Sequence, residues 1–317
     1  MRFKVAPLPG QDEFGAVVTD LSPDMLDDDS VRKALYDLWI DKGVIVFRGM
    51  EGIDTQLRLS EVFGECEEHP LLRGIDQPRE HKLIIDVGYD DSLGEGDIYE
   101  VNGEERGAWL PWHSDLVYIA EINHGGILRP IELPERGGET GFIDQIAAYD
   151  ALPDRLKQAI EGKYVCYTYN VNSSEAKFGR RPDRMVRISE KLIKAMEHAA
   201  VATRSVHPMV YTQKETGRKV LNVSPWFAVG IEGMENAEGD ALLREVTDYC
   251  IRPERAYFHP WQMGDMVLWD NWRMLHCAAG VPAGMRRHMR RTTIAGDYGL
   301  GRMEQPGAVT DEMKVGM

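Results

Sequence analysis

Near the start of the chain, apolar residues recur at helical spacing and then form a continuous apolar run. Val31 and Leu35 belong to a pattern that predicts a helix over residues 30–41, and Gly43 stands where glycine commonly ends a helix. Residues 43–47 follow as an apolar, β-branched run, which predicts a buried strand. A helix followed directly by such a strand indicates an α/β-like N-terminal portion.

Three further helices are predicted from their end signals and their periodicity. Asp54 is positioned to cap a second helix that runs through Phe63. Pro153 near a start and Gly162 just past an end frame a third. The fourth is predicted over residues 236–250, where apolar residues again share one face.

The second half of the chain is richer in strand signals than in helix signals. Short β-favouring runs bounded by Gly, Pro or Asn predict strands at residues 116–119, 126–133, 219–223, 266–269 and 292–295. Few helices and many spaced short strands favour a mainly β fold with flanking helices, a double-stranded β-helix or jelly roll.

No internal repeat and no low-complexity linker divides the chain, so residues 1–317 are predicted to form a single catalytic domain. The polar stretch over residues 171–204, with a helix predicted near 190–199, is interpreted as an insertion that could cover the barrel mouth as a lid. Residues from about 300 to 317 are expected to form a tail.

Composition narrows the class of protein. A formal net charge of −15 argues against nucleic acid as a partner, because affinity for nucleic acid comes largely from Lys and Arg. The sequence contains no run of 18 apolar residues, the length needed to span a membrane. Residues 1–7 lack the apolar core of a secretory signal. The four cysteines are scattered and predict reduced thiols in a cytoplasmic protein. The basic run 286–291 is better explained by small anions than by a polymer.

Three residues carry the candidate chemistry. His113 and Asp115 are predicted to lie two apart on a strand, where both side chains face the same way. His276 follows an apolar strand that ends near Asp270. Taken alone, a His-x-Asp triplet is expected by chance among nine histidines, and a single histidine is more often a core residue. Together they offer two imidazoles and one carboxylate, the facial triad of non-haem Fe(II) oxygenases, which leaves three coordination positions open.

Two more residues fit a cosubstrate that is chelated at such an iron. Thr140 follows Asp115 after 24 intervening residues, and Arg287 follows His276 after ten. A 2-oxo acid that binds iron through its first carboxylate and keto oxygen leaves its far carboxylate inside the barrel. A buried carboxylate must be paired and hydrogen-bonded, and a guanidinium with a hydroxyl supplies both. Taken singly, the two residues are more simply a turn threonine and a surface arginine.

These motifs resemble the taurine dioxygenase and phenoxyacetate dioxygenase family of Fe(II)/2-oxoglutarate-dependent dioxygenases. The resemblance rests on the runs WHSD at 112–115, GGET at 137–140, WDN at 269–271 and RTTI at 291–294, and on spacings that match the family's. It extends from about residue 43 to residue 297.

The resemblance implies a role for each matching residue. The iron ligands would be His113, Asp115 and His276, the groups on the far carboxylate of 2-oxoglutarate would be Thr140 and Arg287, and the groups on an anionic substrate head would be His69 and Arg291.

Two substrate positions depart from the taurine-binding pattern. Trp109 stands where that pattern has Asn, and Leu72 stands where it has Tyr. Both changes replace polar atoms with apolar bulk, so His69, Leu72, Trp109 and Arg291 are expected to line a pocket for a larger or flatter body than taurine.

The resemblance implies a dioxygenase with Fe(II) and with 2-oxoglutarate and O2 as cosubstrates. We expect hydroxylation of an unactivated C–H bond of a small organic acid with an apolar body (an aryloxy or alkyl carboxylate, a sulfonate or a sulfate ester), with or without subsequent bond cleavage. A second hypothesis keeps the chemistry for a neutral or amino-acid-derived natural product, with Arg291 serving the cosubstrate. A third is a non-catalytic jelly-roll metal-binding or sensor protein, against which Thr140 and Arg287 weigh. Oligomers are usual among the enzymes it resembles, so a homo-oligomer is expected.

Overall fold

The computed structural model describes residues 3–72, 80–91, 96–190, 192–193, 196 and 204–304. Within those residues the fold is mainly β with few helices, as predicted. The α-helices are α1 (Asp29–Lys42), α2 (Ile53–Ser60), α3 (Gln145–Asp150), α4 (Asp154–Ile160) and α5 (Ala237–Cys250). None of the described helices is long and apolar enough to cross a membrane.

The strands are short and run the length of the chain. In order they are β1 (Lys4–Ala6), β2 (Ala16–Thr19), β3 (Val44–Arg48), β4 (Cys66–Glu67), β5 (Ile84–Asp90), β6 (Ile98–Val101), β7 (Glu104–Gly107), β8 (Leu110–His113), β9 (Gly125–Glu132), β10 (Thr140–Asp144), β11 (Tyr164–Thr168), β12 (Arg184–Arg187), β13 (Arg204–Pro208), β14 (Val210–Thr212), β15 (Lys219–Leu221), β16 (Ala228–Ile231), β17 (Tyr257–His259), β18 (Asp265–Asp270), β19 (Met274–Ala278), β20 (Val281–Pro282), β21 (Arg286–Ile294) and β22 (Arg302–Met303).

Two sheets frame the centre of the molecule. The larger follows the order β1-β2-β3-β18-β9-β21-β4, with β5 also paired to β21, and the smaller follows β17-β10-β19-β8. Val44 and Val46 of β3 join Phe142 of β10 in a buried cluster between these two sheets. Ile45 and Phe47 alternate to the opposite face, where they pack against α1 and α2. The larger sheet is therefore covered by helices on one face and by the smaller sheet on the other.

The first and last predicted helices form close to their expected bounds. The Asp28 side chain caps α1 by accepting from the backbone N–H of Ser30, and Gly43 ends it with a φ of 74°. The Asn236 side chain caps α5 by accepting from two backbone N–H groups. The third predicted helix is also confirmed, as α4, and it begins directly after Pro153.

The predicted cap and end of the second helix are wrong. Gly52, at a φ of 89°, precedes the first helical residue, so Asp54 lies within the first turn instead of capping it. The helix ends at Ser60 and not at Phe63. The Ser60 hydroxyl bonds to the carbonyl of Gln56 and to the Thr292 hydroxyl, which ties this end of the helix to β21.

The predicted strand over residues 116–119 is also wrong, because these residues form a turn. Leu116 has a φ of 57°, and the side chains of Leu116, Val117 and Tyr118 are all buried in one cluster. Their apolar, β-favouring composition reflects burial in the core and not a sheet. The strand of this region, β8, ends just before the turn.

The last predicted strand is longer than residues 292–295, since β21 begins at Arg286. Arg287 and Arg291 lie within it and their side chains are largely buried, so the basic composition hides the strand signal. The strands predicted at 126–133, 219–223 and 266–269 correspond to β9, β15 and β18.

The insertion and the tail are described only in part. Residues 184–187 form β12, which pairs with β6, and Phe178 is fully buried. Most of the helix predicted near 190–199 lies outside the described residues. The tail expected from residue 300 begins with β22, paired to β13, and residues 305–317 lie outside the described part of the chain.

Candidate active site

The three predicted metal ligands come together at one end of the smaller sheet. His113 of β8 and His276 of β19 are directly opposite in the antiparallel register, with ring centroids 4.2 Å apart. Asp115 Oδ1 lies 3.8 Å from His113 Nε2, and Asp115 Oδ2 lies 3.5 Å from His276 Nε2. Ligand atoms of the three residues all lie within 4.8 Å of one another. This arrangement could hold one metal ion with two nitrogens and one oxygen.

The prediction that Asp115 shares a strand with His113 is wrong, because β8 ends at His113 and Asp115 lies in the following turn. The turn is fixed by side chains that are distant in sequence. Asn271 Oδ1 accepts from the backbone N–H of Asp115 at 2.8 Å, and its amide donates back to the Asp115 carbonyl at 3.1 Å. The Ser224 hydroxyl accepts from the N–H of Ser114 at 2.9 Å. Sequence reasoning did not single out either Asn271 or Ser224 for this role.

The protonation states of the cluster suit a divalent metal. The backbone carbonyl of Pro111 lies 2.8 Å from His113 Nδ1, and since a carbonyl can only accept, Nδ1 carries the proton and Nε2 keeps its lone pair. Burial lowers the pKa of His113 to about 3, which keeps the imidazole neutral. Burial alone would raise the pKa of Asp115, but the charge of Arg291 holds it well below its usual range. Neutral imidazole and ionised carboxylate are the forms that bind metal.

Arg291 reaches into the same cluster from β21. Its Nη2 lies 2.7 Å from Asp115 Oδ2, an ion pair without directed hydrogen-bond geometry, and its guanidinium lies 5.0 Å from the ring centre of Trp269. Gly126 makes room for this packing, because a Cβ there would meet Arg291 Nε at 3.1 Å and a ring carbon of Trp269 at 3.3 Å. The arginine therefore places a cation directly beside the candidate metal ligands.

The second predicted pair also comes together, on the inner faces of the two sheets. Arg287 Nη2 donates to Thr140 Oγ1 at 3.3 Å, and Trp261 Nε1 donates to the same oxygen at 3.2 Å. Arg287 and Arg291 share one face of β21, so their backbones lie roughly 13 Å apart along the strand. Sequence reasoning did not identify Trp261 as a partner of Thr140.

Arg287 is a buried cation with few partners. It is 6% exposed, its Nε atom has no hydrogen-bond partner, and no carboxylate of the described residues lies within 4 Å of it. Burial lowers its pKa to about 10, opposed by the charge of Glu139. Gly138, at a φ of 79°, allows the close approach, since a Cβ there would lie 3.1 Å from Arg287 Cδ. A buried guanidinium with free donors fits a carboxylate ligand.

Aromatic side chains line the other side of the cluster. Trp226 meets the His113 ring edge-on at 5.2 Å and stacks on Phe227 at 4.6 Å. Tyr118 contacts both Phe227 at 4.9 Å and Tyr169 at 4.8 Å. A group of buried aromatic rings therefore begins at one of the candidate ligands.

The three other predicted substrate residues are placed differently. The antiparallel register puts Glu67 opposite Thr293, so the turn that carries His69 and Leu72 begins at the Arg291 end of β21. Trp109 packs against Tyr99 and lines a cavity of about 270 Å³ on the outer face of the smaller sheet. Trp109 faces this cavity, so the structure does not bring its side chain to the His113 cluster. Substrate binding by Trp109 stays a prediction.

Comparison with known proteins agrees with the geometry. The family model described as "Taurine catabolism dioxygenase TauD, TfdA family" matches residues 4–293. An (S)-phenoxypropionate/alpha-ketoglutarate-dioxygenase of Sphingobium herbicidovorans is 32% identical over 93% of this chain and 96% of its own. An alpha-ketoglutarate-dependent 2,4-dichlorophenoxyacetate dioxygenase of Cupriavidus pinatubonensis is 31% identical over 90% of this chain and 95% of its own. An alkylsulfatase of Acinetobacter baylyi is 26% identical over 89% and 82%.

Solved structures show the same fold at lower identity. A taurine dioxygenase from Burkholderia xenovorans covers 100% of both chains with a TM-score of 0.73 and 22% identity. The structure of AAD-2 in complex with Mn(II) and N-oxalylglycine covers 93% of this chain and 98% of its own, with a TM-score of 0.69 and 24% identity.

Proposed function

Because this chain belongs to the taurine catabolism dioxygenase TauD, TfdA family, we propose that it hydroxylates an unactivated C–H bond of a small organic acid with an apolar body. It is an Fe(II)/2-oxoglutarate-dependent dioxygenase, which uses Fe(II) with 2-oxoglutarate and O2 as cosubstrates. When bound, these groups supply the oxidising power that converts C–H to C–OH, with succinate and CO2 as products. The observation that carries the assignment to residues is the convergence of His113, Asp115 and His276 within 4.8 Å.

Each residue of the site has a distinct task in this proposal. His113, Asp115 and His276 would hold the metal, and the His113 ring is fixed by its bond to the Pro111 carbonyl. Thr140 and Arg287 bind the far carboxylate of 2-oxoglutarate and so orient the cosubstrate. Burial of Arg287 strengthens this ion pair, because charges interact more strongly where the dielectric constant is low.

We also infer that the two central sheets form a double-stranded β-helix. The strands alternate between them in two runs of the chain: β8, β10, β17 and β19 belong to the smaller sheet, whereas β9, β18 and β21 belong to the larger. This alternation is what a jelly roll requires, and the metal residues then lie inside the barrel. Residues 171–204 would act as the lid of this single domain. A homo-oligomer and a cytoplasmic location stay predictions.

The side chains around the candidate metal ligands support the proposed substrate class. The aromatic group of Trp226, Phe227 and Tyr118 offers apolar surface beside His113, and Arg291 offers a cation on the other side. An aryloxy or alkyl carboxylate, a sulfonate or a sulfate ester combines an apolar body with one anionic head. Relatives named for phenoxypropionate, 2,4-dichlorophenoxyacetate and sulfate esters support this class.

One observation favours a second candidate, the same chemistry on a substrate without an anionic head. Arg291 already has an anionic partner, since its Nη2 lies 2.7 Å from Asp115 Oδ2. A relative named as a pentalenolactone F synthase, 25% identical over 92% of this chain, shows that the family includes natural-product enzymes. Replacing Arg291 with Ala separates the two: weaker substrate binding at an unchanged 2-oxoglutarate requirement supports an anionic head.

The test of the proposal is a substrate panel scored for succinate release. Sulfonates, aryloxy acids, amino acids and sulfate esters are compared under aerobic and anaerobic conditions, and we expect oxygen-dependent succinate with an anion of apolar body. Asp115→Ala is expected to abolish both metal binding and succinate production, because one of three ligands is lost. Normal turnover by this variant would reject the ligand assignment.

A further inference from the structure

We propose that Trp261 is a positioning residue that turns the Thr140 hydroxyl into a dedicated donor for the far carboxylate of 2-oxoglutarate. The Thr140 oxygen receives two hydrogen bonds, from Trp261 Nε1 at 3.2 Å and from Arg287 Nη2 at 3.3 Å. The inference rests on the proposed function, in which Thr140 and Arg287 bind that carboxylate.

The hydrogen bonds that the Thr140 hydroxyl receives determine where its own proton can point. A threonine hydroxyl has one O–H donor and two acceptor lone pairs. Two N–H donors occupy both lone pairs of Thr140 Oγ1, and among the described residues no hydrogen bond from this hydroxyl is found. Its proton is therefore directed away from Trp261 and Arg287. A carboxylate, which can only accept, is the partner that this arrangement selects.

Without Trp261 the hydroxyl would be free to rotate. A single donor, Arg287, would leave one lone pair open, so the O–H could point in several directions. Fixing the donor before the ligand arrives reduces the ordering that binding must impose. The indole N–H thus raises affinity for ligands with a far carboxylate and does nothing for ligands that lack one.

The loop that presents Trp261 is itself fastened by a buried imidazole–carboxylate pair. His259 Nε2 lies 2.9 Å from Asp265 Oδ2, and the same oxygen accepts from the backbone N–H of Gln262 at 3.0 Å. Arg48 Nη1 bonds to both oxygens of Asp265, at 2.5 and 2.8 Å. The His259 ring meets the Trp261 ring edge-on at 4.7 Å. These contacts hold both sides of the loop between β17 and β18.

His259 also fixes the distance to the threonine. In the pairing of β10 with β17, Thr140 is directly opposite His259. Trp261 follows β17, and its acceptor Thr140 lies on the neighbouring strand β10, so the indole needs to reach only the adjacent strand. A short, fastened loop of this kind gives Trp261 little freedom to move away from Thr140.

The experiment measures binding to the Mn(II)-loaded protein by calorimetry under anaerobic conditions, with 2-oxoglutarate and with 2-oxobutyrate, which lacks the far carboxylate. Trp261→Phe keeps an aromatic ring and removes the N–H. We expect about fivefold weaker binding of 2-oxoglutarate, the effect of one neutral hydrogen bond, and unchanged binding of 2-oxobutyrate. Trp272→Phe is the matched control, because the Trp272 indole N–H donates to the Ile122 carbonyl at 3.0 Å and not to Thr140.

A double-mutant cycle separates orientation from general damage. In a Thr140→Val background the hydroxyl is absent, so Trp261→Phe is expected to have no further effect on 2-oxoglutarate affinity. Independent, additive losses would overturn the proposal, as would equal weakening of both ligands by Trp261→Phe.

A second measurement leaves Trp261 unchanged, in case its substitution prevents folding. In protein labelled with ¹⁵N-tryptophan, Thr140→Val is expected to shift one indole N–H resonance, because the acceptor of that N–H is gone. If no indole resonance of the seven tryptophans moves, the hydrogen bond is absent and the inference fails. If wild-type protein binds 2-oxoglutarate no better than 2-oxobutyrate, the proposed function fails first.

Discussion

Two buried arginines, Arg273 and Arg287, differ in what satisfies them. Arg273 is fully buried, and its Nε and Nη2 donate to the two oxygens of Asp144 at 2.9 and 2.8 Å. Its Nη1 donates to the carbonyls of Ile40 and Asp41 at the end of α1. Arg287 is almost as buried, but among the described residues it donates to Thr140 alone and its Nε has no partner. One guanidinium is satisfied by the fold, whereas the other keeps donors for a ligand.

The pKa values of these two side chains move in opposite directions because only Arg273 is hydrogen-bonded to a carboxylate of the described residues. Burial alone would lower the pKa of Arg273, but its bonds to Asp144 raise it above the usual value. Burial lowers the pKa of Arg287 to about 10, and Glu139 opposes this only in part. A buried charge that the protein does not neutralise is destabilising, and such residues concentrate at functional sites. The contrast therefore distinguishes a structural arginine from a binding one.

The largest effect is expected at the structural arginine. Arg273→Met leaves Asp144 buried without its partner and leaves the last carbonyls of α1 without donors, so we expect the free energy of unfolding to fall by about 3–5 kcal/mol. Urea denaturation measures this free energy of unfolding. Arg184→Met is the control, because its ion pair with Glu100 is exposed and is expected to contribute no more than about 1 kcal/mol. Equal losses in the two variants would contradict the contrast.

The binding arginine is expected to behave in the reverse way. Arg287→Met removes a buried charge without a carboxylate partner, so stability is expected to stay the same or to rise. Affinity for 2-oxoglutarate is expected to fall by about 2–5 kcal/mol, because the far carboxylate loses its counter-charge. Calorimetry on Mn(II)-loaded protein measures this. The neighbouring Arg286→Met serves as control, since Arg286 is exposed and pairs with Asp90. If Arg287→Met were saturated at the same 2-oxoglutarate concentration as the wild type, another residue would have to bind the far carboxylate.

The sequence was sufficient to predict the candidate metal and carboxylate-binding residues, but not the residues that position them. His113, Asp115, His276, Thr140 and Arg287 were found because their residue types are restricted by metal and carboxylate chemistry, and the structure brings each set together. The helix predictions succeeded where a periodic apolar face or a Pro–Gly frame indicated the helix, and the one predicted capping side chain, Asp54, was wrong.

The supporting residues could not be found in the same way. Asn271 and Trp261 act through hydrogen bonds to partners more than 100 positions away, and nothing in their local pattern indicates those partners. The turn at Leu116 was mistaken for a strand because burial and sheet formation favour the same apolar residues. The start of β21 was missed because its inward-facing residues, Arg287 and Arg291, are basic, and amphipathic patterns assume an apolar inner face.

Asp270 extends the contrast to a buried acid beside Arg273. Burial raises the pKa of Asp270 to about 7, and the charge of Arg273 opposes this only in part. Because this pKa lies above the unfolded value of about 3.9, the stabilising contribution is complete below about pH 4 and is lost as the pH rises to about 7. Between pH 5 and pH 8 we expect the wild type to lose about 2–3 kcal/mol more stability than Asp270→Asn. Urea unfolding of both proteins at the two pH values measures this difference. If both lose the same stability, Asp270 ionises in the folded protein without a cost in free energy.

Two asparagines provide the last and smallest test of the same distinction between fold and site. Asn271 is fully buried and bonds to both the N–H and the carbonyl of Asp115, whereas Asn236 caps α5. Asn271→Ala is expected to weaken Mn(II) binding about 10- to 100-fold, because the turn that aims the Asp115 carboxylate loses its fixed position. Asn236→Ala is expected to lower the free energy of unfolding by about 1 kcal/mol and to leave Mn(II) affinity unchanged. Metal titration by calorimetry together with urea denaturation distinguishes these outcomes, and unaltered Mn(II) affinity in Asn271→Ala would mean that Asn271 does not position the Asp115 carboxylate.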